Sequence, residues 1–374
     1  MSAVEGAPSA DAGRRLERRR QAERFRDPAD PTRRLISRFD TLDWTAPLEF
    51  PTFKSHNRLL LDAAKKSRVI KREVGFGYRA FTRNGAVVGG FHNLTTSLTS
   101  DLGKAALGSK ASVKAHLETM DVATPAGRGF AIEDRDSALL YFRELSAPVT
   151  VKSSVPDRGM NISTDVRDEQ SFLAAWELAQ VKTKPTAGVP AQIIVEKYFS
   201  GISVRAYVVG EAVIGAAARL PLFITGDGTS SVLKLAEDAL EARNLNSYLA
   251  QSPPDISKES LAELGLKAEE VLAVGDLRNI SGTSNPGSGG MTLDITSKLS
   301  ESHRRLAVDA LWAIPGVRAG GVDLLISDLP NASEAVATDV TDTADMSLHR
   351  YPAFGAWRTP AADIIDQMLI SAAH

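Results

Sequence analysis

Apolar residues along this chain switch between helical and alternating spacing, and each switch marks an element. HNRLLLDAAKKS at 56–67 puts Leu59, Leu60, Ala63 and Ala64 on one side of a helix, with Lys65 and Lys66 near its end, where cations favour the dipole. RVIKREV and YRAFTR follow as strands, and RNGAVV at 83–88 carries an Asn-Gly hairpin signal. SKASVKAHLETM and DRDSALLYFREL predict helices, the second capped by Asp134 or Asp136. PVTVK at 148–152 is a short β-branched strand. DEQSFLAAWELAQ is an amphipathic helix with Phe172, Trp176 and Ala179 at core spacing. QIIVEKYF, VRAYVVG and AVIGAAARL predict three successive strands, and GDGTSSVLKLAEDALEAR a turn and a helix. PPDISKESLAELGL is polar and reads as a surface excursion. SHRRLAVDALWAI runs as a helix until Pro315 stops it. VRAGGVDLLIS and EAVATDV are strands, and TPAADIIDQMLI is a closing helix with Pro360 in its first turn. The mixture gives an α/β (α+β) class.

Composition narrows the function classes. The chain has 374 residues, 43% hydrophobic and 24% charged, as expected of a globular protein of two or three structural units. Lys and Arg total 44 against 46 acidic residues, so no global field favours nucleic acid or a membrane surface. No run approaches the ~18 apolar residues that span a bilayer, and the start lacks the apolar core of a signal peptide. The absence of cysteine excludes disulfides, a thiolate nucleophile and cysteine metal sites. A cytoplasmic enzyme is the expectation. Residues 1–32 stand apart: seven arginines lie between Arg14 and Arg26. They read as a disordered or fraying helical arm, or as a contact for an acidic partner or neighbouring subunit.

The fragments VTVKSSVPDRG, IIVEKYFSG, VRAYVVG, ARLPLFITGDGTS, NPGSGGMTLDIT, GVDLLISD and ATDVTDTADMSLHRYPAFG occur in that order. Together they resemble the ATP-grasp carboxylate–amine ligases, in the branch that contains cyanophycin synthetase and the ATP-grasp half of bifunctional glutathione synthetase. The resemblance covers roughly residues 90–370. It implies an ATP-grasp fold in which nucleotide lies between two mixed α/β subdomains, here 106–200 (the lid) and 201–374, after a small α/β domain at 33–105.

Making an acyl phosphate requires cations on a triphosphate, a cover over it, and hard oxygen ligands for magnesium. The resemblance assigns these tasks residue by residue. Lys152 opens the phosphate-covering loop, where Ser153, Ser154 and Gly159 offer backbone amides. Lys114 matches the lysine of the preceding helix. Glu196, Lys197, Tyr198 and Phe199 match the hinge strand beside adenine, and Ser203 stands where the family commonly has an acidic ribose partner. Arg205, Arg219 and Arg278 match arginines that hold the substrate carboxylate or stabilise the tetrahedral intermediate and γ-phosphate. Surface salt bridges are the competing reading for all three. Ser288, Gly289 and Gly290 match a glycine-rich substrate loop. His349 either lines the acceptor site or satisfies a turn. Asp323, Asp339 and Thr341 occupy the metal positions; Asp339 replaces a glutamate, Thr341 replaces an asparagine, and Asp342 is close enough to substitute.

The resemblance thus implies an ATP-dependent ligase that forms an amide or peptide bond through an acyl phosphate, using one or two Mg²⁺ (or Mn²⁺) ions. Its partners would be small molecules, an amino-acid or peptide acid and an amine, in specialised metabolism. A homodimer is the family expectation. The substitutions at Ser203, Asp339 and Thr341 motivate a different reading, a non-catalytic nucleotide-binding or regulatory protein. Two further alternatives are a glutathione- or cyanophycin-type amino acid ligase and an enzyme that phosphorylates an acid without forming an amide.

Overall fold

A computed structural model describes residues 10–155, 161–181, 183, 191–329 and 334–372. The chain begins with α1 (Ala10–Arg26), α2 (Pro31–Arg38) and α3 (His56–Lys66), then β1 (Ile70–Gly75), β2 (Tyr78–Arg83), β3 (Ala86–His92) and β4 (Thr95–Thr96). Next come α4 (Asp101–Ala106), α5 (Lys110–Thr119), β5 (Gly127–Ala131), α6 (Arg135–Leu145), β6 (Val149–Ser153), β7 (Ile162–Val166), α7 (Glu169–Gln180) and β8 (Gln192–Lys197). The remainder holds β9 (Ile202–Val209), β10 (Ala212–Leu220), β11 (Phe223–Thr225), α8 (Val232–Asn244), α9 (Lys258–Glu263), β12 (Leu277–Asn279) and β13 (Met291–Asp294). It closes with α10 (Glu301–Trp312), β14 (Ala319–Ile326), β15 (Ala335–Thr341), α11 (Ser347–Arg350) and α12 (Pro360–Ser371).

Local chemistry sets most boundaries. Ser55, Ser109, Ser231 and Ser300 cap α3, α5, α8 and α10, each hydroxyl accepting a first-turn backbone N–H, and Asp168 does the same for α7. Asp134 takes the capping position of α6, but its side chain makes no cap hydrogen bond. Asn84 and Gly85 both have positive φ, 51° and 82°, as the tight turn between β2 and β3 demands.

Among the described residues the strands form three larger sheets and one two-stranded ribbon, with every named pairing antiparallel. The first sheet runs β1-β2-β3-β4 and packs with α3 and α12. The second runs β5-β8-β6-β7 under α6 and α7, with its own core of Phe130, Phe142, Phe172, Trp176 and neighbours. The third, β13-β10-β9-β14-β15, lies over α10 and belongs to the largest core. Separate cores make the second sheet a body distinct from the third. No helix of the described residues is long and apolar enough to cross a membrane.

Two expectations change here. The arginine arm, read as disordered or as a fraying helix, is helical over Ala10–Arg26 and docked, with Ala22 and Phe25 both 3% exposed. Its buried positions are Gly13, Glu17, Ala22 and Phe25, while Leu16 is exposed and most of the arginines keep their heads toward solvent. Residues 1–9 lie outside the described part. The polar segment PPDISKESLAELGL is not merely a surface excursion: Leu261, Leu264 and Leu266 are buried and join the main core beside α1.

Candidate active site

Strand register builds the centre of the site. β9 and β14 place Arg205 opposite Asp323, and β14 and β15 place Asp323 opposite Asp339. Facing residues on adjacent strands share one side of a sheet. Arg205 donates to Asp323 from two atoms, Nε to Oδ1 at 2.5 Å and Nη2 to Oδ2 at 2.9 Å. Arg219, on β10, donates from Nη2 to the same Oδ1 at 2.8 Å and from Nη1 to Ser203 Oγ at 3.4 Å. Gly321 makes room for this: a Cβ there would come within 2.8 Å of Arg205 Cδ and Nη1. Burial opposes ionisation of Asp323, but Arg205 and then Arg219 overcome it and hold the carboxyl well below its usual range. Burial likewise acts against both guanidiniums. Arg205, gripped by Asp323 through two atoms, ends raised, whereas Arg219, with one bond to that carboxylate and Arg205 beside it, ends lowered by its burial.

Asp339 pairs with Lys110 at the first turn of α5. The Lys110 backbone N–H donates to Ser154 O at 2.8 Å, so this residue joins the metal-position carboxylate to the end of β6. Sequence reasoning missed Lys110. The signal was present one turn ahead of Lys114, in the same helix.

The lysines assigned to phosphate are buried and paired. Lys152 Nζ donates to Glu196 Oε1 at 2.6 Å, across β6 and β8, with both side chains under 10% exposed. Lys114 Nζ donates to Pro125 O and pairs with Glu118 at 3.0 Å. Ser153 Oγ accepts from Thr183 Oγ1 at 2.9 Å, and Ser154 Oγ accepts from Gln192 N at 2.9 Å. Gly159 lies outside the described residues. In the hinge, Lys197 N donates to Ala126 O and Tyr198 N to Pro148 O, both at 2.8 Å. The Tyr198 hydroxyl accepts from Arg24 at 3.2 Å. Phe199 sits against Gly201, where an added Cβ would meet its ring at 3.0 Å.

The glycine loop is held by Arg243, a fully buried residue of α8 that no motif singles out. Its guanidinium donates to the carbonyls of Leu249 (2.7 Å), Gly290 (3.0 Å), Ser252 (3.1 Å) and Pro286 (3.4 Å). Burial lowers its pKa to about 10. Gly289 has φ 107°, and Ser288 is exposed above them. Arg278 stands apart from the Asp323 network and pairs with Asp276, just ahead of its own strand β12. His349 is buried edge-on to Tyr207, with ring centroids 5.8 Å apart. Neither of its ring nitrogens has a hydrogen-bond partner among the described residues. Burial, then Arg205 and Arg219, lowers its pKa to about 3, so the ring is neutral.

The metal positions offer the hard oxygens that magnesium takes, with Asp323 and Asp339 adjacent in register. In this arrangement cations of the chain already contact both carboxylates, and Thr341 Oγ1 lies 3.0 Å from Thr343 Oγ1. Asp342 is buried with Oδ2 unpartnered among the described residues. No cluster of three or more carboxylates or histidines forms a ready-made metal cage among the described residues. Asp323 and Asp339 are donors of the hard-oxygen type magnesium takes, and each is engaged by a cation of the chain in this arrangement.

No family model matches the chain. It is 25% identical over 260 residues to cyanophycin synthetase of Synechocystis sp., a match covering 67% of this chain and 29% of that protein. It is 26% identical over 233 residues to the glutathione biosynthesis bifunctional protein GshAB of Pasteurella multocida, covering 59% of this chain and 30% of that one. The crystal structure of a bifunctional glutathione synthetase from Pasteurella multocida matches with a TM-score of 0.61 at 22% identity, over 84% of this chain and 43% of that chain. The chain has the ATP-grasp fold. Its homologues are ATP-grasp ligases. The fold class and the family resemblance read from the sequence both stand. The matches span about 30% of the length of these longer curated relatives.

Proposed function

We propose that this ATP-grasp chain is a carboxylate–amine ligase that forms an amide through an acyl phosphate. One observation carries the reading: Arg205, Arg219 and Asp323 form a single network on one sheet, and Lys110 links the neighbouring Asp339 to the end of β6, where Lys152 lies. The homology to ligases supports the same reaction class.

In the proposed reaction an oxygen of the substrate carboxylate attacks the γ-phosphorus of ATP, and ADP leaves. An amine nitrogen then attacks the acyl carbon, phosphate departs, and the nitrogen loses a proton. Charge grows first on the transferring phosphoryl group and then on the attacked carbonyl. Arg205 and Arg219 supply delocalised cations for both. Lys152 and Lys114 serve the phosphates, and the remaining work is positioning and exclusion of water. Asp323 and Asp339 would hold magnesium, which would supply neutralisation of phosphate charge. The backbone of Lys197–Phe199 lies beside adenine, Ser203 serves the ribose, and the 288–290 loop with His349 lines the substrate side. The acid is an amino acid or peptide and the acceptor an amine, in specialised peptide metabolism.

A second reading, a nucleotide-binding module without ligase activity, is favoured by the double arginine grip on Asp323 and by Thr341 at the third metal position. Pairwise screening of amino acids with Mg²⁺-ATP separates the two. ADP release that needs both an acid and an amine, with an amide product found by mass, supports the ligase. Bound nucleotide with no ADP from any pair favours the module. Hydroxamate formed with hydroxylamine, but no amide from any natural amine, points to acid phosphorylation alone.

A further inference from the structure

Helix α1 touches both bodies of the fold, by different kinds of contact. Toward the large body the contact is apolar at its centre: Ala22 and Phe25 belong to the main core, and the Phe25 ring lies 6.0 Å from that of Phe223 on β11 of the two-stranded ribbon. Glu263 of α9 reinforces it from the rim, 3.2 Å from Arg15 and 3.8 Å from Arg18, and Arg26 donates to Gly265 O at 3.0 Å.

Toward the second sheet Gly13 lies close against Ala174 and Leu178 of α7, and the rest of the contact is polar and directional. Glu17 is 6% exposed and accepts from Thr164 Oγ1 at 2.7 Å and Thr164 N at 3.2 Å, both on β7. Arg24 donates to Thr164 Oγ1 at 2.9 Å and to Tyr198 Oη at 3.2 Å, and its guanidinium lies 5.5 Å over the Tyr198 ring. Arg20 donates to Ser171 Oγ on α7. The second body's core includes no residue of α1. Apolar burial is indifferent to small shifts, whereas hydrogen bonds to a buried carboxylate break over a fraction of an ångström.

We propose that α1 is a latch: anchored to the large body by Ala22 and Phe25, it holds the second sheet through Glu17 and Arg24 and sets how readily the two bodies part. Its grip ends on Tyr198, in the segment that joins β8 to β9. The consequence for nucleotide entry rests on the function proposed above; the mechanical coupling does not.

Because the chain has no cysteine, a spin-label pair can be placed at Glu144→Cys on α6 and Glu237→Cys on α8 without removing any native thiol. The labelled full chain should show one narrow distance distribution. Glu17→Ala/Arg24→Ala should broaden it and add a longer population. Amide exchange in residues 161–181 should rise by on the order of tenfold, the scale of one lost charge-assisted hydrogen bond. Thr164→Val removes the hydroxyl that Glu17 and Arg24 share but keeps α1, the Thr164 N–H bond to Glu17 and the Arg24–Tyr198 contact, so it should move both readouts in the same direction by a smaller amount and serves as the test if the double variant fails to fold. Unchanged distances and exchange in Thr164→Val overturn the latch. Mg²⁺-ATP, added to the labelled chains, should associate several-fold faster with the unlatched variants. A chain that shows the distance change but binds no ATP would sink the proposed function and leave the latch standing.

Discussion

Arg205 and Asp323 face each other across β9 and β14 and are joined by two hydrogen bonds, with Arg219 as a third donor to the same carboxylate. Each side chain of the trio is under 20% exposed, so the carboxylate offsets charge on both guanidiniums with little help from water. Removing the shared carboxylate leaves two buried guanidiniums facing each other. Asp323→Asn is therefore expected to cost about 3–5 kcal/mol of stability, read from urea unfolding, as well as ADP release. A variant as stable as the parent would mean that the grip contributes nothing.

Acid sensitivity should come from His349. Its pKa is about 3 in the folded protein against 6.5 for an ordinary histidine. Between these values the unfolded chain binds a proton that the folded chain refuses. The stability contribution is complete above about pH 6.5 and falls with decreasing pH by at most ~1.4 kcal/mol per unit. Buried His56 shifts in the same direction, opposed by Asp345. Unfolding followed from pH 7 to pH 4.5 should show this slope, and His349→Asn should reduce it by about one proton. An identical slope in that variant would assign the acid limb to other groups.

The sequence made the strands and helices of the second and third sheets readable because their apolar periods are strong and serine or aspartate marks most helix starts. It also placed Arg205, Arg219 and Asp323 among the candidates, and register brings those three together. What it could not show is pairing. Lys152 and Glu196 are 44 positions apart and Lys110 and Asp339 are 229 apart. Such contacts follow from strand order and have no local signature. The docking of the arginine arm was hidden for a related reason: net composition favoured solvent, while Ala22, Phe25 and Glu17 are buried and Arg20 and Arg24 bond to the second body. Arg243 was invisible because its partners are all carbonyls, which every residue carries.

Arg243 should be needed for the order of the 285–290 loop. A guanidinium presents donors in a fixed fork, and here they meet four different carbonyls. Lysine keeps the charge but not the fork, so Arg243→Lys is expected to lose about 1–3 kcal/mol and to expose the segment between Leu249 and Gly290 to trypsin. Equal protease resistance and an unchanged melting temperature would show that the loop holds itself.

Lys152 and Glu196 separate a structural role from a chemical one. Both are buried, 2.6 Å apart, and removing one strands the other without a counterion. Lys152→Met should therefore cost about 3–5 kcal/mol, whereas Lys152→Met/Glu196→Leu, which replaces the pair with apolar groups, should recover most of that loss. Catalysis should not recover with it, because a methionine brings no charge to a phosphate. A stable double variant that releases ADP at the parental rate would show that Lys152 serves the fold alone. A stable variant without turnover would assign it to the nucleotide, its bond to Glu196 being what holds the lysine in place until phosphate arrives.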